Sequence, residues 1–112
     1  KGATFLAVIS NDAWWGETPG HRQLLSYTRL RAIENRRDIV RSANTGISAI
    51  IDAKGELIKQ TDYNVKTILK GNFASHSEIT FYTKYGDFIG RLAILMTSLL
   101  LLLTITGRLK NI

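Results

Sequence analysis

The segment from Phe88 to Gly107, "FIGRLAILMTSLLLLLTITG", holds 20 residues and a single charge, Arg91. An α-helix rises about 1.5 Å per residue, so this run reaches roughly 30 Å, the thickness of a hydrocarbon core. The five consecutive leucines Leu99 to Leu103 leave no polar face, which is hard to place in so small a domain. We therefore read residues 88–107 as a transmembrane helix; the competing reading is a buried helix of a soluble protein. Arg91 lies near one end and can snorkel to the interface. Tyr82, Tyr85 and Phe88 precede the span like an interfacial aromatic belt, and a short basic tail, residues 108–112, follows it. Lys84 and Arg91 on one flank nearly balance Arg108 and Lys110 on the other, so the positive-inside rule alone does not orient the span.

The remaining length suits about one small domain, residues 1–80. The chain opens on Lys1 rather than Met, which reads as a fragment or a processed product. Its formal charge is +6, from 15 Lys and Arg against 9 Asp and Glu. Such a balance fits nucleic acid, an anionic membrane surface or the flanks of a span. The arginines Arg22, Arg29, Arg31, Arg36, Arg37 and Arg41 lack the aromatic interleaving of a recognised nucleic-acid surface, and a membrane anchor opposes that reading, so nucleic acid is not expected as a partner. Arg22, Arg29 and Arg36 form a basic helix stripe that reads as a solvated face, with anionic lipid headgroups as the second option. There is no cysteine, which rules out a disulfide, a thiolate metal site or a cysteine nucleophile within this sequence. His21 and His76 lie too far apart to propose a metal site, and no cofactor is expected.

Along the chain, Thr4 to Ser10 is an apolar run without polar alternation, which predicts a buried strand, parallel and central. "NDAWWGETPG" is the loop after it, with Asn, Asp, Gly and Pro supplying turn chemistry. His21 to about Arg37 reads as a helix with Thr18 or Gly20 near its N-cap. Leu24, Leu25, Tyr27, Thr28 and Ala32 share one broad face, and Leu30 and Ile33 fall on the other, which predicts packing against two neighbours. Asp38 to Asn44 predicts a strand. Ile47 to Ile51 and Glu56 to Thr61 read as a hairpin. Asn64 to Lys70 is a further strand candidate with weak alternation, and Gly71 to Ser77 reads as loop.

A strand end that runs through a glycine-containing loop into a helix is where α/β sheets bind ligands. Trp14 and Trp15 could wall an apolar pocket there, with Asn11 and Asp12 fixing the loop through Asx turns. On residue types alone the two tryptophans serve equally well as core plugs, with Asp12 a plain turn residue.

Three pieces of sequence carry a resemblance. They are "SNDAWWG" followed by "HRQ", then "RLRAIENRRDIVRSANTGISAII", and the lone span directly after them. Together they resemble the C-terminal half of a nitrilase-type carbon–nitrogen hydrolase domain and, more narrowly, the apolipoprotein N-acyltransferase family; soluble nitrilases lack the span. The resemblance implies an α/β fold, the C-terminal part of an αββα sandwich followed by one transmembrane helix. It implies a domain on the periplasmic side of the bacterial cytoplasmic membrane, with Arg108 and Lys110 in the cytoplasm. The implied chemistry moves an acyl chain from a phospholipid to a Cys thiol, then to the N-terminal diacylglyceryl cysteine of a lipoprotein. A Glu base and a Lys that stabilises the tetrahedral intermediate assist. In the family these residues lie upstream of "SNDAWWG". Glu17, Glu34, Glu56 and the lysines do not match their positions, so these 112 residues alone are expected to be inactive. The resemblance assigns Trp14 to the pocket lining, Asn11 and Asp12 to shaping its loop, and Trp15 to the same region or to the core or membrane. Arg41 and Asn44 would support that pocket. The alternatives are a nitrilase-like amidase fragment with an appended anchor, or a non-catalytic single-span membrane protein whose domain binds a partner.

Overall fold

Strand β1 (Leu6–Asn11) pairs in parallel with β2 (Ile39–Asn44), in register from Leu6 against Ile39 to Asn11 against Asn44. Helix α1 (Gly20–Asn35) is the crossover between them. A parallel pair needs such a connection, and β-branched and small apolar residues in both strands suit the pleat. Strands β3 (Ala49–Ile51) and β4 (Leu57–Gln60) continue the sheet antiparallel, giving the order β1-β2-β3-β4. The computed structural model describes residues 2–110, which fall into two compact units that divide between Thr80 and Phe81.

The core of the first unit lies between α1 and one face of the sheet. Leu25 and Ala32 of α1 meet Ile39, Ala49 and Ile51, with Leu6, Val8, Ile47 and Leu57 packed around them. The opposite face is apolar at β1 but bare: Ile9 is 91 % exposed. Lack of polar alternation in β1 correctly marked a parallel strand with two apolar faces, but the strand is not buried as expected: half-buried residues alternate with exposed ones, because only the α1 side is covered. The expectation that β1 is central is not met within this chain, because among the described strands it holds the sheet edge.

Helix α1 starts with Pro19 at its N-cap, one residue from the expected Thr18 or Gly20. Thr18 Oγ1 still contributes, accepting from the Gly20 amide at 3.4 Å. The helix closes at Asn35 rather than Arg37, because Arg36 turns left-handed (φ +46°) and donates its amide to the Ala32 and Ile33 carbonyls. Its buried face is His21, Leu25, Thr28 and Ala32; Tyr27 of the expected apolar face is exposed, and Leu30 and Ile33 are half exposed. Arg22, Arg29 and Arg36 are all exposed, as expected of a solvated stripe, and Arg29 also donates Nε to the Gly55 carbonyl at 2.7 Å.

Residues 61–80 contain no strand, which corrects the expectation for Asn64 to Lys70. Asn64 adopts φ +57°, incompatible with extended pairing. The segment is instead fastened by point contacts. Lys59 Nζ donates to the Lys70 carbonyl, the His76 amide donates to the Thr4 carbonyl, and Phe73 tilts against Phe5 at 4.6 Å. Buried Asp38 gathers three partners from two distant segments, the amides of Ala53 and Ala74 and the His76 ring.

The second unit has a short helix α2 (Phe81–Tyr85) and the long helix α3 (Phe88–Lys110). Phe88–Arg108 is long and apolar enough to cross a membrane, with mean hydropathy 2.2. Asp87 Oδ1 accepts from the Gly90 amide and so caps the start of α3. Phe81 packs on Tyr85 at 4.4 Å and edge-on to Phe88 at 5.0 Å. Residues 111–112 of the expected basic tail lie outside the described residues.

Candidate functional site

Because Asn11 and Asn44 are register partners, β1 and β2 end side by side, and their carboxyl ends share one edge of the sheet. Asp12 is the next residue, and it is wholly buried. A carboxylate out of water needs a partner of opposite charge and further donors. Arg41 supplies the charge. Its Nη2 reaches Asp12 Oδ2 at 2.8 Å and Oδ1 at 3.1 Å, and Ser10 Oγ also donates to Oδ1. Arg41 Nη1 donates to Thr28 Oγ1 at 3.0 Å and its Nε to the Ile47 carbonyl at 3.3 Å. The Thr28 hydroxyl in turn donates to the Leu24 carbonyl at 2.9 Å. One buried network thus joins the end of β1, the middle of α1, β2 and the approach to β3.

Gly46 belongs to this network by absence of a side chain. A β-carbon there would overlap the Asp12 carboxylate. The sequence "NTG" therefore supplies the space that the ion pair occupies.

The tryptophan loop grows directly out of this anchor. Asn11 Oδ1 accepts from the Ala13 amide at 3.2 Å, the Asx turn expected of it. Asp12 forms no Asx turn, contrary to expectation, because its carboxylate is taken up by Arg41 and Ser10; it contributes its backbone, its carbonyl accepting from Trp15 N and its amide donating to the Asn44 carbonyl. These bonds form the 3-10 turn Ala13–Trp15. Trp15 is half exposed and lies over Gly20, where a β-carbon would strike its ring. Trp14 projects from the loop and is 88 % exposed. Tyr63 closes the loop from behind: its hydroxyl donates to the Gly16 carbonyl at 2.6 Å, and its ring stacks on His21 at 4.2 Å.

The residues singled out in the sequence thus divide. Asp12 and Arg41 meet as an ion pair. Asn11 and Asn44 hold the loop by a side chain and a carbonyl respectively. Trp14 and Trp15 diverge, one outward and one onto α1. Sequence reasoning missed the pairing of Asp12 with Arg41 and the clamp of Tyr63 on the loop. The first had a usable signal. Ile39, Arg41 and Ala43 share one face of β2, and an arginine on the core side of a strand demands a buried anion. Nothing in the spacing of Gly16 and Tyr63 pointed to their contact.

At the other end of β2, burial pushes the Asp38 carboxyl up. Hydrogen bonds from Ala74, His76 and Ala53 outweigh that and hold its pKa below the usual carboxylate value. Asp38 is a structural tie for residues 71–80, remote from the tryptophan loop along the strand.

Residues 1–78 match the carbon–nitrogen hydrolase family. The chain is also similar to many curated proteins, among them bacterial ones named apolipoprotein N-acyltransferase. Identity is 38 % over 89 residues with that of Chlorobaculum tepidum, covering 80 % of this chain and 17 % of the relative. It is 41 % over 86 residues with that of Geobacter metallireducens, covering 77 % and 16 %. It is 38 % over 102 residues with that of Neisseria meningitidis, covering 91 % and 20 %. The chain therefore spans a fifth or less of the length of these relatives. With the match over its whole α/β unit, the chain belongs to the carbon–nitrogen hydrolase family.

Proposed function

We propose that this chain is the C-terminal part of an apolipoprotein N-acyltransferase, in which the tryptophan loop lines the acyl pocket. The extent of the similarity carries this conclusion. The family match ends at residue 78, whereas the likeness to the Neisseria relative covers 91 % of the chain and so runs well into the apolar helix α3. A membrane span joined to a carbon–nitrogen hydrolase unit fits an enzyme whose acyl donor is a phospholipid and whose acceptor is a lipoprotein. The domain would face the periplasm and the tail beyond the span the cytoplasm.

The chemistry falls to a Cys nucleophile, a Glu base and a Lys, all supplied from outside these residues. A thiolate attacks the phospholipid ester, the lysophospholipid leaves, and the thioester is aminolysed by the α-amine of the acceptor cysteine. Within this chain the contribution is positional. The buried ion pair fixes the root of the loop, Asn11 and Tyr63 hold its two sides, and Trp14 offers a large exposed apolar surface to an acyl chain. The same reading explains the bare face of β1, which an αββα sandwich would cover with its second sheet.

The test uses the full-length protein in membranes, with phospholipid and a diacylglyceryl-cysteine peptide as substrates. N-acylation of the peptide is expected, and Trp14→Ala should lower the rate at least about tenfold, a loss of roughly 1.4 kcal/mol in transition-state stabilisation, with membrane insertion unchanged. Full activity in that variant would remove Trp14 from the pocket. Ammonia release from a small amide without peptide acylation would identify an anchored amidase instead.

A further inference from the structure

A second polar feature sits beside the tryptophan loop, and nothing assigned so far uses it. The end of β2 and the segment after β4 enclose a cleft of about 420 Å³, lined among others by Ser42, Asn44, Thr45, Asn64, Lys66 and Thr67. It opens at the carboxyl end of β2, where α/β sheets bind ligands. Its lining contains one cation, several amides and hydroxyls, and no carboxylate. Two of its residues, Thr45 (φ +54°) and Asn64 (φ +57°), hold left-handed backbone conformations. For a β-branched residue such as Thr45 this conformation is unusual, and outliers of this kind gather at binding sites. The Asn44 carbonyl, which accepts from the Asp12 amide, connects the cleft to the root of the tryptophan loop.

We propose that this cleft is a phosphate-binding subsite. Lys66 supplies the charge, and the hydroxyls of Thr45 and Thr67 with the Asn64 amide supply neutral donors to the non-bridging oxygens. A phosphate monoester or diester suits one cation in an acid-free polar cleft; a metal ion or an ammonium group would find no anion there. The phosphate could belong to a phospholipid headgroup or be free in solution. The proposal goes beyond acyl transfer, since it requires only binding.

The test is made on the full-length protein in neutral detergent micelles by phosphorus NMR titration. Inorganic phosphate and phosphatidylglycerol are the two probes, and phosphate-free diacylglycerol, which gives no phosphorus signal, is the competitor. Saturable binding of a phosphate-bearing probe is expected, weakened about tenfold by Lys66→Gln, as loss of one charge-assisted hydrogen bond implies. Thr45→Gly removes a donor and the left-handed strain together, so it should weaken binding while the thermal midpoint holds or rises. Displacement of inorganic phosphate by phosphatidylglycerol would assign the site to a headgroup, and its failure to displace would assign the site to the free anion. Equal affinity of wild type and Lys66→Gln, or displacement of the bound phosphate probe by diacylglycerol, would overturn the proposal. Because binding is read without turnover, a protein inactive as a transferase would leave the inference standing.

Discussion

Arg41 and Asp12 illustrate how a few buried charges can specify a loop. Each is nearly devoid of solvent contact, and each satisfies the other. Removing one partner strands the second in a dry environment, which costs more than the pair itself contributes. Asp12→Ala should therefore destabilise the domain by about 3–5 kcal/mol, whereas Asp12→Ala combined with Arg41→Met should cost less than Asp12→Ala alone. Denaturant midpoints of wild type, Asp12→Ala, Arg41→Met and the double variant measure this, and additive losses would show that the two residues act independently. Asp38 makes a different prediction. Its folded pKa lies below the unfolded one, near 3.9, so its contribution is complete above that value and is lost as pH falls through the lower folded value. The acid limb of a stability–pH curve should flatten in Asp38→Asn, while stability near neutrality falls through weakened bonds to Ala53, Ala74 and His76. At this scale the sequence was legible where a residue acts on its own neighbours, as Asn11 does on Ala13. It was opaque where partners lie 29 positions apart, as Asp12 and Arg41 do.

Elements show the same division for a physical reason. Period and composition are local properties, so β1, α1, β2 and the hairpin were readable within a few residues. Residues 64–70 were misread as a strand because Val65, Thr67 and Leu69 imitate alternation while Asn64 breaks the backbone. Helix α3 was legible from length and hydropathy alone, and its polar residues also obey a local rule. The hydroxyls of Thr97, Ser98, Thr104 and Thr106 donate to the carbonyls of Ala93, Ile94, Leu100 and Leu102. Each polar group is thereby satisfied inside the helix, as an apolar surrounding requires. Thr104→Ala should leave membrane insertion nearly unchanged. Leu101→Arg, near the middle of the run, should raise the apparent insertion free energy by about 2.5–3.5 kcal/mol. The fraction resistant to alkaline extraction reads both, and an unaffected Leu101→Arg protein would argue for a soluble, protein-covered helix.

For the whole molecule, the decisive quantity is apolar surface left without cover. In the first unit α1 protects one face of the sheet, while Ile9 on the other face is exposed and β1 presents an open edge. Parallel sheets are stable when both faces are covered, and an open edge with apolar neighbours pairs readily with another chain. Each fully covered Ile or Val would contribute about 1.5–3 kcal/mol, comparable with a large share of the stability of a small domain. Residues 2–80 produced alone should therefore associate through this face and edge, eluting as large species and binding an apolar dye. Adding the remainder of the protein, in cis or as a co-expressed partner, should suppress both. A monomer of residues 2–80 that unfolds cooperatively and ignores the dye would mean that the sheet closes without a second layer. In that case the exposed face of β1 would no longer support a sandwich, and the likeness to far longer relatives would concern sequence without the shared architecture.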